Sequence, residues 1–374
     1  MNILHLRSSE FFGGPERAIV GQCREMTNYA FMCASFVRPG RSNEFLDICA
    51  STSIKTLSLP QRTVFDISPI RLLRKAVSEH CISVVVSHDY KSNLLGALAL
   101  RSLPIVQIAH FRGRTDEDAK VRFYNLLDRY VLRCMDRVFV VCRSAKDQLV
   151  LQGIDAQNIR VVPNAYDCRL SLRSAAEMTP IAADRCVQII AAGRLSREKG
   201  FDLLVSAAEF LHRAERNFHI YIYGSGPEKE RLESQIAQAR MDRHISLMGF
   251  TYDLGARMRE AHLLVIPSRS EGMPNVLLEA WANGLAVVAT PVGGIPEMID
   301  HQINGILSDR VTARSLGAAM IDALREPQRL PAMARRGQAK LIGHFSFQKQ
   351  AQLLDALYRD ATRVVDVGQG TGKE

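Results

Sequence analysis

The sequence contains no hydrophobic run long enough to cross a lipid bilayer. Its longest apolar stretches, around residues 93–100 and 286–289, are interrupted or short, whereas a transmembrane helix needs about 20 predominantly apolar residues. The opening segment MNILHLRSSE also lacks the long apolar core of a secretory signal and is typical of a first buried strand. We therefore expect a cytoplasmic protein.

Grouped cysteines are also missing. The eight cysteines include no CxxC pair, and none follows Cys186. Zinc sites and disulfide frameworks need closer grouping than this. We predict that the cysteines are reduced thiols and that most of them are buried.

The positive charge of the chain is unevenly distributed. The net charge of +9 divides into +7 for residues 1–178 and +2 for residues 179–374. The first half therefore suits an anionic partner, such as nucleic acid, a phosphate-bearing substrate or the inner face of an anionic membrane contacted peripherally. A role in solubility alone is an equal alternative. Aromatic residues are not interleaved with the basic ones, which argues against a nucleic-acid groove.

Short runs of β-branched residues alternate with segments of helical periodicity along the chain. This alternation predicts an α/β protein with parallel, doubly wound sheets whose strands are joined by crossover helices. The helical pattern is clearest at residues 118–135 and 201–211. The strand candidates are residues 2–6, 82–87, 105–109, 137–142, 187–192, 219–223, 263–266 and 286–289.

The alternating pattern is interrupted once, between Arg173 and Arg185. The segment RSAAEMTPIAADR has no strong periodicity and contains Pro180. We therefore place a linker here and predict two domains, residues 1–178 and 179–346. Residues 347–362 have the pattern of a terminal helix, and residues 363–374 have the composition of a frayed tail.

Three glycine-containing loops each follow a predicted strand. GGPER (residues 13–17) and YGSGPEKERLE (223–233) allow close approach of a ligand to the backbone, and each is followed by a helix whose N-terminal amides suit a phosphate. In GRLSREKG (193–200), Arg194 and Lys199 lie where open α/β sheets bind ligands and can contact phosphate oxygens. The alternatives are tight turns and a solvated basic loop. The dinucleotide fingerprint GxGxxG is broken in the 223–233 loop, where lysine replaces the last glycine, which argues against a nicotinamide enzyme.

The segment EGMPNVLLE (271–279) combines two glutamates with a tight loop. Glu271 falls in the loop and Glu279 on the following helix, so both can lie at the same edge of a sheet. Gly272 and Pro274 shape the turn, and its free N–H groups can bind a diphosphate. Glu279 can accept hydrogen bonds from ribose hydroxyls, and Glu271 from sugar hydroxyls. A loop acid and a solvated helix acid without a ligand are the alternative.

In this order, the motifs resemble those of the retaining glycosyltransferases of family four, the group 1 glycosyl transferases of the GT-B fold. GGPER is similar to the family's N-terminal glycine loop, and GRLSREKG to its GRL…KG phosphate-binding signature. YGSGPEKERLE and EGMPNVLLEAWANGLAVVATPVGGIPEMI are similar to its later motifs, which include two glutamates eight residues apart. The resemblance spans essentially the whole chain and is closest in the C-terminal half. It implies two Rossmann-like domains facing across a cleft, an acceptor domain followed by a donor domain, with the terminal helix packed back on the first.

The resemblance also assigns roles to individual residues. Arg194 and Lys199 would neutralise the donor diphosphate, and Gly14 would approach it from the other domain. The implied catalytic residues are His110, Arg194, Lys199 and Glu271. The implied donor-binding residues are Gly13, Gly14, Arg194, Lys199, Gly224, Gly226, Glu271, Gly272, Met273, Pro274, Asn275, Val276 and Glu279. The acceptor-side candidates are Glu16, Arg17, His88, Lys91 and Arg112. For His88 and His110, an ordinary histidine at a strand end is the alternative.

The implied reaction transfers a hexosyl group from a nucleoside diphosphate sugar, by family habit a UDP-sugar, to a hydroxyl of a saccharide or lipid-linked acceptor. It would serve the synthesis of cell-surface polysaccharide or lipopolysaccharide. No cofactor and no metal are expected, because protein cations would take the place of a metal. We interpret the acidic string at residues 116–118 as part of a helix capping box with Thr115. The alternatives are a nucleotide-sugar epimerase of the same fold and a non-catalytic nucleotide-sugar-binding protein.

Overall fold

The computed structural model describes residues 1–63, 66–113, 119–169, 172–173 and 186–370. These residues form two compact units. The N-terminal unit comprises Met1–Asn164 and the last helix, which begins at Phe347, and the C-terminal unit comprises Ala165–Ser346.

The N-terminal unit is built on a seven-stranded sheet in the order β3-β2-β1-β4-β5-β6-β7, and every pairing is parallel. Its strands are β1 Asn2–Arg7, β2 Ala30–Val37, β3 Lys55–Pro60, β4 Val84–Ser87, β5 Val106–Phe111, β6 Arg137–Val140 and β7 Ile159–Val161. Its helices are α1 Gly14–Glu25, α2 Glu44–Ser51, α3 Ser68–Glu79, α4 Tyr90–Leu100, α5 Ala119–Leu132, α6 Arg143–Leu151 and, at the end of the chain, α14 Phe347–Gly370.

The central strands of this sheet are mostly apolar because helices cover both faces. In β1, Ile3 and Leu4 have no exposed surface. They belong to two different buried clusters, and the cluster that contains Ile3 also contains Tyr358 of α14. The hydroxyl of Tyr29 donates a 2.6 Å hydrogen bond to Asp355 Oδ1. The last helix is therefore part of the core of the N-terminal unit.

The C-terminal unit has a six-stranded parallel sheet in the order β10-β9-β8-β11-β12-β13. Its strands are β8 Val187–Ala192, β9 Phe218–Tyr223, β10 Ile245–Gly249, β11 Leu263–Ile266, β12 Ala286–Ala289 and β13 Ile306–Leu307. Its helices are α7 Phe201–Arg213, α8 Lys229–Gln238, α9 Leu254–Glu260, α10 Asn275–Ala282, α11 Ile295–Met298, α12 Ala313–Arg325 and α13 Leu330–His344. The fully buried Trp281 of α10 donates a hydrogen bond to the carbonyl of Asn304.

The fold class predicted from the sequence is confirmed, and each of the eight predicted strands is present in the sheets. Five strands were missed: β2, β3, β7, β10 and β13. In β3, only Leu59 is buried, so this edge strand lacks the apolar run of a central strand. Strand β13 has two residues and is recognisable only by its pairing with β12. Short and edge strands carry little signal of their own because their identity depends on the neighbouring strand.

Several expected boundaries lie elsewhere in the structure. The units divide after Asn164 and not at residue 178, because Tyr166 N donates to Phe345 O and the Gln338 side chain donates to Arg173 O within the C-terminal unit. The last helix does not end at residue 362 but continues to Gly370, since no glycine or proline interrupts it before residue 368. Most of the predicted linker and the predicted capping box at residues 115–118 lie outside the described residues.

All eight cysteines are free thiols, as expected, but only four of them are buried. The expectation that most are buried is wrong, because Cys81 lies in a left-handed turn after α3 and Cys134 follows α5. A hydrogen bond with Cys23, together with burial, raises the pKa of Cys33 well above its usual value.

Candidate functional site

The loops predicted to bind the donor lie at one edge of the C-terminal sheet. Since all of its strands are parallel, the segments that follow β8, β9, β10 and β11 emerge from the same edge. Arg194 follows β8, Gly224 follows β9 and Glu271 follows β11. The topology thus brings together motifs that are far apart in the sequence.

The loops after β8 and β9 are packed directly against each other. Gly193 N donates to Tyr223 O at 3.0 Å, and Leu195 N donates to Ser225 O at 2.9 Å. A Cβ atom at Gly224 would lie 1.8 Å from the carbonyl oxygen of Gly193, which is far inside van der Waals contact. The glycine at this position is therefore explained by loop packing. Its contact with a donor stays a prediction.

Lys199 and Glu271 form an ion pair at this edge. Lys199 Nζ lies 2.7 Å from Glu271 Oε1, and the same oxygen accepts a hydrogen bond of 2.7 Å from Ser268 Oγ. The Glu271 side chain is only 8% exposed and that of Lys199 is 26% exposed. Arg194, in the same loop as Lys199, is exposed. Two cations and a shielded carboxylate thus lie on adjoining loops, as a diphosphate sugar would require.

The segment from Gly272 to the start of α10 is fixed by the loop after β12. Gly294 N donates to Gly272 O at 2.7 Å. Met273 is buried, and α10 begins at Asn275 with Pro274 as its cap. The Asn275 Oδ1 atom is shielded from solvent and has no hydrogen-bond partner among the described residues.

The two glutamates of this segment stand on different elements. Glu279 is in the interior of α10, half-buried, whereas Glu271 precedes the helix. The first turn of α10, which includes Val276, presents backbone N–H groups of the kind that bind phosphate oxygens. The segment therefore offers both hydrogen-bond acceptors and donors to a ligand.

In the N-terminal unit, Glu16 holds the glycine loop in place. Its Oε2 accepts a hydrogen bond of 3.0 Å from Gly13 N, and its Oε1 accepts one of 2.8 Å from Arg7 Nε. Glu16 is completely buried, and the next residue, Arg17, is exposed. Both carboxylate oxygens of Glu16 accept hydrogen bonds within the N-terminal unit. These bonds explain why a glutamate is buried at this position, and no contact with an acceptor is needed to explain it. Gly14 is the first residue of α1.

His88 and His110 belong to a buried group of three imidazoles whose third member is His5. His5 Nδ1 and His88 Nε2 are 2.9 Å apart, and the ring centroids of His88 and His110 are 5.5 Å apart. Burial, with a smaller contribution from the charge of Arg112, lowers the pKa of His5 to about 3. Burial also lowers the pKa of His88 and of His110 well below the usual value. All three rings are therefore neutral at neutral pH.

Arg112 lies near this histidine cluster, and Lys91 packs against a phenylalanine ring of the same unit. Arg112 Nη1 donates to Asn164 Oδ1 at 2.8 Å, and burial together with the charge of Arg7 lowers the pKa of Arg112 to about 10. Lys91 Nζ lies 4.7 Å from the centroid of the Phe36 ring. Burial lowers the pKa of Lys91 as well. His88 and Arg112 thus lie close together because they follow the neighbouring parallel strands β4 and β5.

Sequence reasoning missed several residues at these two sheet edges. His5 lies within β1 and carries no motif, and only the parallel pairing of β1 with β4 places it beside His88. Ser268 and Arg269 follow β11 directly, so their position at a strand end was a usable signal. The exposed rings of Phe250 and Tyr252, which follow β10, pack edge to face with centroids 4.9 Å apart.

The described residues contain no group of three or more His, Cys, Asp or Glu side chains that could hold a metal ion. No helix in the described part of the chain is both long and apolar enough to span a membrane. Asp116 and Asp118 lie outside the described residues, so metal independence stays a prediction.

Comparison with known proteins agrees with this arrangement. Residues 12–170 match the model of "Glycosyltransferase Family 4", and residues 186–326 match that of "Glycosyl transferases group 1". The D-inositol 3-phosphate glycosyltransferase of Segniliparus rotundus is 32% identical over 56% of this chain and 48% of its own length. The amylovoran biosynthesis glycosyltransferase AmsK of Erwinia amylovora is 27% identical over 58% of this chain and 55% of its own length. The matches therefore span about half the length of these two relatives.

Solved structures show the same fold. Alr3699/HepE of Anabaena, crystallised in complex with UDP-glucose, superposes with a TM-score of 0.82 and 17% identity, covering 96% of this chain and all of that protein. The sucrose-phosphate synthase of Thermosynechococcus elongatus superposes with a TM-score of 0.79 and 17% identity, covering 97% of this chain and 100% of its own. The fold is therefore GT-B. Since both halves of the sequence match models of one glycosyltransferase group, the chain belongs to glycosyltransferase family 4.

Proposed function

We propose that this glycosyltransferase moves a hexosyl group from a UDP-sugar to a hydroxyl of a saccharide or lipid-linked acceptor, with retention of anomeric configuration and without a metal ion. The product would enter a cell-surface polysaccharide or lipopolysaccharide. Amylovoran biosynthesis in the name of one relative and the UDP-glucose in a structural neighbour support this choice of donor and pathway class.

The observation that carries the proposal is the Lys199–Glu271 pair. Its 2.7 Å contact places a cation beside a shielded carboxylate at the strand ends of the C-terminal unit. A diphosphate would bind the ammonium group of Lys199, and the carboxylate of Glu271 would accept hydrogen bonds from sugar hydroxyls. Exposed Arg194 adds a guanidinium on the same loop. One ligand that carries both a diphosphate and a sugar satisfies all three groups.

Two further features support a nucleotide as the rest of the donor. The first-turn amides of α10 suit phosphate oxygens, and Glu279 on the same helix suits ribose hydroxyls. The loop after β10 is tied to the site because Gly224 N donates to Gly249 O at 2.8 Å. That loop exposes Phe250 and Tyr252, which offer a stacking surface for a planar base.

In the proposed reaction, the bond between the anomeric carbon and the diphosphate oxygen breaks. The acceptor oxygen then bonds to the same face of the anomeric carbon, and its proton passes to an oxygen of the departing diphosphate. Arg194 and Lys199 would stabilise the negative charge that develops on the leaving group. His110, neutral because of its lowered pKa, would orient the acceptor hydroxyl.

A membrane-borne, anionic acceptor is proposed from the first unit. Leu126 and Tyr130 of α5 are exposed, and Leu151 at the end of α6 is 87% exposed. The side chains of Arg129 and Arg133 both donate to the carbonyl of Gln152 and join the ends of these helices. Apolar side chains flanked by arginines are suited to an anionic lipid surface.

The proposal is tested first by binding and then by turnover. A panel of UDP-, GDP- and ADP-sugars is screened by thermal shift, because a ligand that binds the folded state raises the apparent stability. The stabilising donor is then incubated with lipid-linked and soluble saccharide acceptors, and the anomeric configuration of the product is read by NMR. A retained linkage is expected.

Three outcomes would contradict the proposal. An epimer formed from the donor alone would indicate an epimerase, and binding without turnover on any acceptor would indicate a non-catalytic binding protein. If no nucleotide sugar in the screen raises the melting temperature, the proposal that the C-terminal unit binds a nucleotide-sugar donor is wrong.

A further inference from the structure

Two segments of the C-terminal unit are joined by two ion pairs. Each segment supplies the cation of one pair and the anion of the other. The segment 197–202, which runs into the first turn of α7, contributes a cation at Lys199 and an anion at Asp202, and the loop 268–271 contributes a cation at Arg269 and an anion at Glu271. Lys199 pairs with Glu271 at 2.7 Å. Arg269 pairs with Asp202 through two hydrogen bonds of 2.6 Å each. Each loop thus gives one acid and one base to the other.

The backbone joins the same two loops between these ion pairs. Arg269 N donates to Glu198 O at 2.8 Å, and Ser270 N donates to the same oxygen at 3.3 Å. Arg269 Nη1 also donates to Arg197 O at 3.1 Å. The carbonyl groups of the turn that carries Lys199 are therefore held by the residues that precede Glu271.

The Asp202–Arg269 pair has the geometry of a strong contact. Two parallel N–H···O bonds between a guanidinium and a carboxylate fix orientation as well as distance. The Asp202 side chain is 23% exposed and that of Arg269 is 32% exposed, so solvent screening is incomplete. Burial is the largest single influence and would raise the pKa of Asp202, but the hydrogen bonds and charge of Arg269, together with backbone hydrogen bonds, lower the pKa overall. Both groups are charged at neutral pH.

We propose that Asp202 and Arg269 are positioning residues that set the distance between the Lys199 loop and the Glu271 loop, and so the affinity for the donor diphosphate. This inference rests on the proposed function, because Lys199 and Glu271 are assigned to the donor there. Asp202 and Arg269 act through those two residues. Without the pair, the loops remain joined by the backbone bonds, by the Arg269–Arg197 bond where Arg269 is kept, and by the Lys199–Glu271 contact. A diphosphate that binds Lys199 competes for that last contact.

The test uses the full chain and three variants. Arg269→Lys keeps the charge but cannot form the bidentate contact, and Asp202→Asn keeps the shape but removes the charge. The matched control is Asp322→Asn, because Asp322 pairs with Arg329 at 2.8 Å with similar exposure, in the same unit but on helix α12. Hydrogen exchange of a peptide covering residues 268–272 and the dissociation constant for UDP are measured for each protein.

The exchange measurement tests the contact itself. We expect Arg269→Lys and Asp202→Asn to speed exchange of the residue 269 and 270 amides, which bond to Glu198 O, while Asp322→Asn leaves these amides unchanged. Equal exchange in all four proteins, or the same acceleration in the control, would overturn the inference. This arm does not depend on any ligand, so it remains decisive even if the wild-type protein binds no UDP and the proposed donor is wrong.

The binding measurement tests the consequence. We expect the dissociation constant for UDP to rise about 5- to 20-fold in Arg269→Lys and Asp202→Asn, and to stay at the wild-type value in Asp322→Asn. If the Asp202–Arg269 pair served stability alone, Arg269→Lys and Asp202→Asn would lower the free energy of unfolding and leave the affinity for UDP unchanged. Faster exchange with unchanged affinity would therefore overturn the positioning role.

Discussion

Acid should destabilise the N-terminal unit because three neutral imidazoles are buried in it. The pKa of His5 is about 3 in the folded unit, and those of His88 and His110 are also well below the usual value. An unfolded histidine has a pKa of about 6.5. Between these values the unfolded chain binds more protons than the folded one, so stability falls as the pH drops below about 6.5. Above that pH the histidines are neutral in both states, so their protonation does not change stability with pH.

The size of the effect follows from the same pKa values. Lowering the pH from about 7.5 to about 5.5 costs about 1.4 kcal/mol for one histidine that stays neutral when folded. For His5 alone this loss compares with a typical stability of about 5–15 kcal/mol for a domain, and the lowered pKa values of His88 and His110 act in the same direction. Replacing His5 by glutamine removes one titrating ring. The variant should therefore lose about 1.4 kcal/mol less stability than the wild-type protein over this pH interval.

Hydrogen exchange of β1 and β4 measures this loss within the N-terminal unit. Protection factors of their core amides, corrected for the intrinsic rate at each pH, give the free energy of opening. The control is His80→Gln, because His80 is exposed after α3 and should leave the pH dependence unchanged. If the His5→Gln variant and the wild-type protein lose protection equally between the two pH values, the buried rings do not govern the response to acid.

Three further results are expected. Replacing Lys199 by alanine should lower kcat/KM about 10- to 100-fold, because a charged hydrogen bond to the leaving diphosphate is lost; a wild-type rate would remove Lys199 from the donor site. Turnover should persist in EDTA, and a complete loss that manganese restores would instead point to Asp116 and Asp118 as ligands. The protein should sediment with anionic vesicles at low salt and detach at high salt, and Leu151→Asp should weaken this binding. A protein that stays in the supernatant at low salt would favour a soluble acceptor.

The places of the predicted donor loops at strand ends were predictable from the sequence, whereas their contact with a donor stays a prediction. Gly224 is needed because the loop after β8 approaches its backbone, and the glycine directly after an apolar strand is visible in the sequence. Lys199 and Glu271 stand in short segments with recognisable spacing, and both follow apolar runs. The distance between them could not be predicted, since it depends on which strands are neighbours in the sheet.

What the sequence determined by itself was the alternation of strands and helices, and with it the fold class and the strand ends that carry the candidate site residues. These properties follow from hydrophobic periodicity, which acts over a few residues. Only the tertiary structure decided that His5 lies beside His88 and that Arg269 binds Asp202, as these partners are separated by 83 and 67 residues. Such contacts are set by the order of strands in a sheet and by the packing of loops at its edge, and no local pattern in the chain encodes them.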